Sequence, residues 1–157
     1  MVKKWKPYVV SCAIALAVGG LEALVTMGKM DLARDEKMPP LSPPSFLFPI
    51  VWTVLFLFMG IGAAIVWKNR VYHYRNADRA LAVYGLNLLM NFVWCLLFFN
   101  ARAFLVSFLW LVALWAVIVI MIRAFYKVSH AAAYLQIPYL LWVAFAGYLN
   151  FAIWLLN

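Results

Sequence analysis

Apolar residues run almost unbroken through five stretches, Tyr8–Met27, Phe46–Trp67, Ala80–Phe99, Phe104–Phe125 and Tyr134–Leu156, and charged residues collect between them. A hydrocarbon core about 30 Å thick needs roughly 20 apolar residues per helical crossing, and each stretch meets that length. A helix on a soluble core shows a polar stripe at a period of about 3.6. Phe104–Ile122 has none, apart from Ser107 and two indole nitrogens. Barrel strands alternate over about ten residues, and that alternation is absent here. Backbone groups in lipid must be satisfied within their own segment. The pattern therefore predicts an all-α membrane protein, a five-transmembrane-helix bundle, with residues 1–157 as one domain.

Composition agrees, with 69% hydrophobic and 11% charged residues. A net charge of +8 would suggest nucleic acid in a soluble chain, but its distribution points to topology and excludes a nucleic-acid partner. Lys3, Lys4, Lys6, Lys68, Arg70, Arg75, Arg79, Arg123 and Lys127 fall at one end of the crossings. Lys29, Arg34, Lys37 and Arg102 fall at the other, mixed with Asp31, Asp35 and Glu36. The excess of cations at one end predicts an N-terminus inside and a C-terminus outside. The same cations favour anionic lipid headgroups as partners. The Lys-rich start resembles a secretory signal, but the apolar run continues past Gly19-Gly20 and is expected to stay as the first helix. The lack of an Arg/Ser-rich leader favours a bacterial cell membrane, the inner one because the crossings are helical.

Little conventional chemistry is encoded. Cys12 and Cys95 match no metal or redox spacing and read as small buried apolar residues. His73 and His130 read as surface residues, no metal site is expected, and no nucleophile–base or phosphate-loop arrangement occurs. Glu22 is the one acid within a crossing, and an ionisable residue at membrane depth is a functional candidate. It also lies about one turn from the helix end, where it can reach the headgroups, so a snorkelling or structural role stays open beside a functional one.

The connector after the first crossing ends in Met38-Pro39-Pro40-Leu41-Ser42-Pro43-Pro44. Proline fixes φ and pushes the preceding residue out of the helical region. Two readings follow: a helix stop with a restart at Ser45, or a stiff strap formed by Pro39, Pro40, Leu41, Pro43 and Pro44, closing a cavity as a lid.

Three crossings carry aromatic and amide faces. Phe48, Trp52 and Phe56 form a stripe at four-residue steps. Tyr84, Asn87, Asn91, Trp94 and Phe98 share a face of the third crossing, and Trp142, Ala146, Asn150 and Trp154 one of the fifth, flanked by Tyr139 and Phe145. Membrane tryptophans are commonly interfacial anchors, which suits Trp5, Trp67 and Trp154. Amides pointing into lipid are costly, so Asn87, Asn91 and Asn150 are expected to face inward, with Trp52, Trp94 and Trp142 beside them. Each amide taken singly can be glue between helices. Together the rings and amides describe a pocket for a flat apolar molecule with a polar edge. Pro138 either frees the Tyr134 carbonyl and kinks the helix or sits harmlessly in its first turn.

The chain resembles the translocator protein family, also called peripheral benzodiazepine receptors or tryptophan-rich sensory proteins. The resemblance rests on Pro43-Pro44, Phe48-Pro49-Ile50-Val51-Trp52-Thr53-Val54-Leu55 and Met59-Gly60, on Asn91-Phe92-Val93-Trp94 with Phe98-Phe99, and on Pro138-Tyr139-Leu140-Leu141-Trp142-Val143-Ala144-Phe145 with Leu149-Asn150 and Trp154. It implies a five-helix bundle, often a homodimer, that binds protoporphyrin-like tetrapyrroles and other planar lipophilic ligands under the first loop. Carried over by motif, the pocket uses Trp52, Asn91, Trp94, Trp142, Phe145 and Ala146. No cofactor is required, and a porphyrin or haem-type tetrapyrrole is the expected ligand. The resemblance also implies an alternative, light-dependent porphyrin breakdown at Trp52 and Trp142; a regulatory scaffold without ligand chemistry is a further one. Two departures stand out. Leu41 occupies the strap position where the family usually has tryptophan. Phe151 and Leu155 replace the tyrosine and basic residue of the animal sterol segment, so cholesterol is not carried over.

Overall fold

Pro7 lies in the first turn of the first helix, α1 (Lys6–Val25), where its missing N–H is no loss. At the other end the Thr26 hydroxyl donates to the Glu22 carbonyl at 2.6 Å. In the computed structural model, which describes residues 4–29, 36–44 and 46–157, five further helices follow. They are α2 (Leu47–Lys68), α3 (Tyr74–Cys95), α4 (Phe104–Tyr126), the short α5 (His130–Tyr134) and α6 (Ile137–Leu156). Lys3, Asp31, Arg34 and Asp35 of the charged connectors and Ser45 lie outside the described residues. Five segments, the last of them joining α5 and α6, are long and apolar enough to cross a membrane. This is the all-helical architecture that the hydrophobic pattern predicts.

Two boundaries differ from that pattern. The third helix starts at Tyr74 rather than Ala80. Arg75, Asp78 and Arg79 interrupt the hydropathy without breaking the helix, because Ala77 and Ala80 are fully buried while the charged residues face out. Asp78 reaches back to the Arg70 guanidinium at 2.6 Å across a tight turn. The fifth crossing is divided: α5 stops at Tyr134 and α6 starts at Ile137. Pro138 sits in the first turn of α6, which settles its role as a helix start rather than a kink. At the join, Gln136 is fully buried and its amide donates to the Phe58 carbonyl at 3.0 Å.

Packing selects faces that the sequence leaves uniform. In α4, Leu111, Leu114, Ile118, Met121 and Phe125 are buried at alternating steps of three and four, the seam of helices crossing at a shallow angle. Leu105, Leu109, Val112 and Ile120 on the other face stay exposed. Helix α1 lies along α2, and Gly60 permits the approach: a Cβ there would stand 2.7 Å from Cys12 Cα. Helix α3 ends in a wider π-helical turn, Leu96–Asn100, that buries Phe98 and Phe99. The ends of α1, α3 and α6 and the starts of α2 and α4 thus gather at one end of the bundle, beneath the proline-rich connector.

Candidate ligand site beneath the first connector

The connector is tied down as a strap. The Lys37 backbone N–H donates to the Asn157 side chain at 2.9 Å, and the Asn157 amide returns a bond to the Lys37 carbonyl at 3.0 Å. The Tyr148 hydroxyl donates to the Pro40 carbonyl at 2.6 Å, and Ser42 closes a turn onto Pro39 at 2.7 Å. Arg102 pairs with Glu36 at 3.3 Å. Pro39 is buried, whereas Pro40 and Pro44 are exposed and Pro43 lies between. Leu41 has φ 70° and is 81% exposed. A left-handed backbone is unfavourable for leucine by roughly 1–2 kcal/mol. Leu41 therefore shapes the turn and leaves its side chain outside.

Beneath the strap the rings meet. Trp52 lies 6.4 Å from Trp94 and 6.2 Å, edge-on, from Tyr139. Phe48 meets Trp142 edge-on at 5.8 Å, and Trp142 meets Phe145 at 5.5 Å. Phe48, Trp52, Trp142 and Phe145 are half-buried, while Trp94, Tyr139 and Ala146 are buried. The site has an upper tier of accessible rings and a lower tier sealed in the bundle. The indole N–H of Trp142 is buried and has no hydrogen-bond partner among the described residues.

The three amides form the lower tier and are already engaged. Asn150 donates to the Phe104 carbonyl at 2.7 Å and accepts from the Trp94 indole at 3.1 Å and from Ser107 at 3.0 Å. That is a junction of three helices. Asn87 accepts from the Tyr139 hydroxyl at 2.6 Å. The Asn91 amide lies between Tyr139 and Glu22: turned with its nitrogen toward the carboxyl, it donates at 2.9 and 3.2 Å, and its oxygen, 2.9 Å from the Tyr139 hydroxyl, shares that group's single proton with Asn87.

Glu22 departs from the snorkelling option. It is 7% exposed and faces the bundle, where the Cys95 thiol donates to its Oε1 at 2.7 Å. Cys95 is accordingly a polar partner rather than an apolar filler. Its place was readable, since Asn87, Asn91 and Cys95 recur at four-residue steps on one face. Ser107, the lone hydroxyl of its stretch, carried a similar signal. The strap anchors Tyr148 and Asn157 carried none, because their partners are backbone groups. Trp5, Trp67 and Trp154 are exposed, as interfacial anchors are. Among the described residues no group of three His, Cys, Asp or Glu could hold a metal.

Rings stacked over a polar bed at one end of five crossing helices define a small integral membrane protein of the translocator type. The chain belongs to the TspO/MBR family, whose model matches residues 10–155. It is 39% identical to the tryptophan-rich protein TspO of Chlorobaculum tepidum, over 76% of this chain and 75% of that protein. It is 36% identical to the tryptophan-rich protein TspO of Archaeoglobus fulgidus, over 95% of each. With the translocator protein of Bos taurus it shares 31% identity over 98% of this chain and 92% of that one.

Proposed function

We propose that the site beneath the strap binds tetrapyrroles of the protoporphyrin type and similar planar lipophiles, making the protein a membrane receptor or carrier for them. The observation that carries this reading is the indole N–H of Trp142, without a partner among the described residues and set among half-buried rings. Aromatic faces stack on a flat ligand, while a buried donor without a partner favours a ligand that supplies an acceptor, such as a carboxylate. Phe48, Trp52, Trp142 and Phe145 contact the ligand. Asn87, Asn91, Trp94, Tyr139, Ala146 and Asn150 form its floor. Pro39, Pro40, Leu41, Pro43 and Pro44 hold the strap above it. The proposal places the protein in a bacterial inner membrane with the N-terminus inside, because the end of the bundle opposite the strap carries most cations. It includes a homodimer, for which the exposed apolar face of α4 offers a surface.

Titration of the detergent-purified protein with protoporphyrin IX in the dark, followed by tryptophan quenching, tests the reading. Saturable quenching at micromolar ligand, weakened in Trp142→Ala, is expected. Equal binding by Trp142→Ala overturns the site. A bilin-like absorbance change under illumination, lost in Trp52→Phe, would replace the receptor reading with the photochemical one.

A further inference from the structure

At the opposite end of the bundle, α1, α2 and α3 enclose a groove of about 450 Å³ that the strap site does not use. That volume falls within the roughly 300–1,000 Å³ of small-molecule sites. A water molecule's share of the liquid is roughly 30 Å³, so the groove has room for one slender chain. Its wall is apolar along Val10, Ile14, Ala63 and Leu81. Its polar side chains are Lys6 at the mouth, Ser11, Tyr84 deep inside, and Trp67, which carries an indole N–H.

Among the described residues the cation at the mouth has no ion-pair partner. Lys68 lies over the Tyr8 ring at 4.9 Å and Arg70 pairs with Asp78, whereas no ion pair among the described residues involves Lys6. At depth, Ile14 stands eight residues along α1 from Lys6, about 12 Å at the helical rise. Tyr84 stands ten residues into α3, about 15 Å and so at a similar level. Tyr84 is 7% exposed, and its hydroxyl is buried without a hydrogen-bond partner among the described residues. A buried hydroxyl left unmatched in an apolar setting costs about 1–3 kcal/mol. An occupant that brings an oxygen to that depth recovers the bond.

We infer that this groove binds a single-chain anionic amphiphile, a long-chain carboxylate with a hydroxyl or oxo group partway along its chain. The carboxylate pairs with Lys6, the chain lies between α1 and α3, and the chain oxygen bonds Tyr84. Charge at one end and one polar group at depth set it apart from general lipid contact, which the exposed faces of α1 and α4 receive without selectivity.

Photolabelling tests it, with the protein in zwitterionic nanodiscs and a diazirine-bearing palmitate whose adducts are mapped by peptide sequencing. Labels are expected to concentrate on 6–14, 63–67 and 81–84. They should fall at least fivefold in Lys6→Gln, in Val10→Trp, which fills the groove from an exposed position, and with the methyl ester of the probe. Chain-hydroxylated stearate should compete at least threefold better than stearate, a preference lost in Tyr84→Phe. Labels spread evenly over all helices, labelling unchanged in Lys6→Gln, or a hydroxyl preference that survives Tyr84→Phe would each overturn the proposal. Porphyrin quenching in Lys6→Gln should match the parent, which keeps this test separate from that of the strap site.

Discussion

The Cys95 thiol lies 2.7 Å from Oε1 of Glu22, joining the last turn of α1 to the end of α3. The contact extends through Asn91 to Tyr139 and then Asn87, so one chain of polar groups links α1, α3 and α6. A buried network of this kind is specific because each member depends on its neighbours. It also explains how an acid is tolerated at this depth: its oxygens have donors on two sides.

Removing the carboxyl should therefore destabilise the bundle more than altering its charge. Glu22→Leu leaves the Cys95 thiol without its acceptor and takes one of the partners of Asn91, and an unmatched buried group costs about 1–3 kcal/mol. Glu22→Gln keeps an acceptor oxygen for Cys95 and should lose no more than half as much. Thermal unfolding in detergent, followed by circular dichroism, would show the ordering. Equal midpoints for the two variants would mean that the network adds nothing.

Gly60 on α2 and Gly20 on α1 differ in what surrounds them. A Cβ on Gly60 would meet the Cys12 backbone at 2.7 Å, where neither helix can yield without moving. Gly60→Ala should cost about 1–3 kcal/mol, as overpacking does. A Cβ on Gly20 meets nothing within 4 Å. Gly20→Ala should raise stability by up to about 1 kcal/mol through helix propensity. The same unfolding measurement checks both, and a Gly60→Ala protein as stable as the parent would refute the close approach of α1 and α2.

The five crossings were legible because burial in lipid demands length and apolarity, and both are written residue by residue. The start of α3 was not, since hydropathy registers Arg75, Asp78 and Arg79 but not the burial of Ala77 between them. Faces were legible where polar residues marked them, as with Asn87 and Asn91. They were silent in α4, where only packing distinguishes Leu111 from Leu109. For Glu22, distance from the helix end suggested the headgroups, while its direction around the helix decided for the interior. Direction depends on the neighbours, and one chain's pattern does not supply it.

Trp142 offers a way to separate ring from hydrogen bond. Trp142→Phe keeps an aromatic ring between Phe48 and Phe145 and removes the unpartnered N–H. A hydrogen bond to a charged group contributes about 1.5–3 kcal/mol. Protoporphyrin IX should therefore bind Trp142→Phe at least about tenfold more weakly. The dimethyl ester of the same porphyrin, lacking the charge, should lose much less. Parallel quenching titrations make the comparison, and equal losses for acid and ester would show that Trp142 acts by stacking alone.

The strap should govern release more than capture. Its bond from Tyr148 to the Pro40 carbonyl and its pair of bonds between Asn157 and Lys37 hold a segment whose prolines already limit its conformations. Each such bond contributes about 0.5–1.5 kcal/mol net. Tyr148→Phe should thus speed porphyrin dissociation by about two- to tenfold, and Asn157→Ala by a comparable factor. Association should change little, because affinity differences among variants of one interface lie mostly in the off-rate. Stopped-flow quenching in the dark resolves the two rates. Tyr148 stacks on Phe145, so the phenylalanine variant preserves the ring contact at 6.1 Å and isolates the hydroxyl. Unchanged dissociation in both variants would mean that the ligand leaves by another route, between the helices.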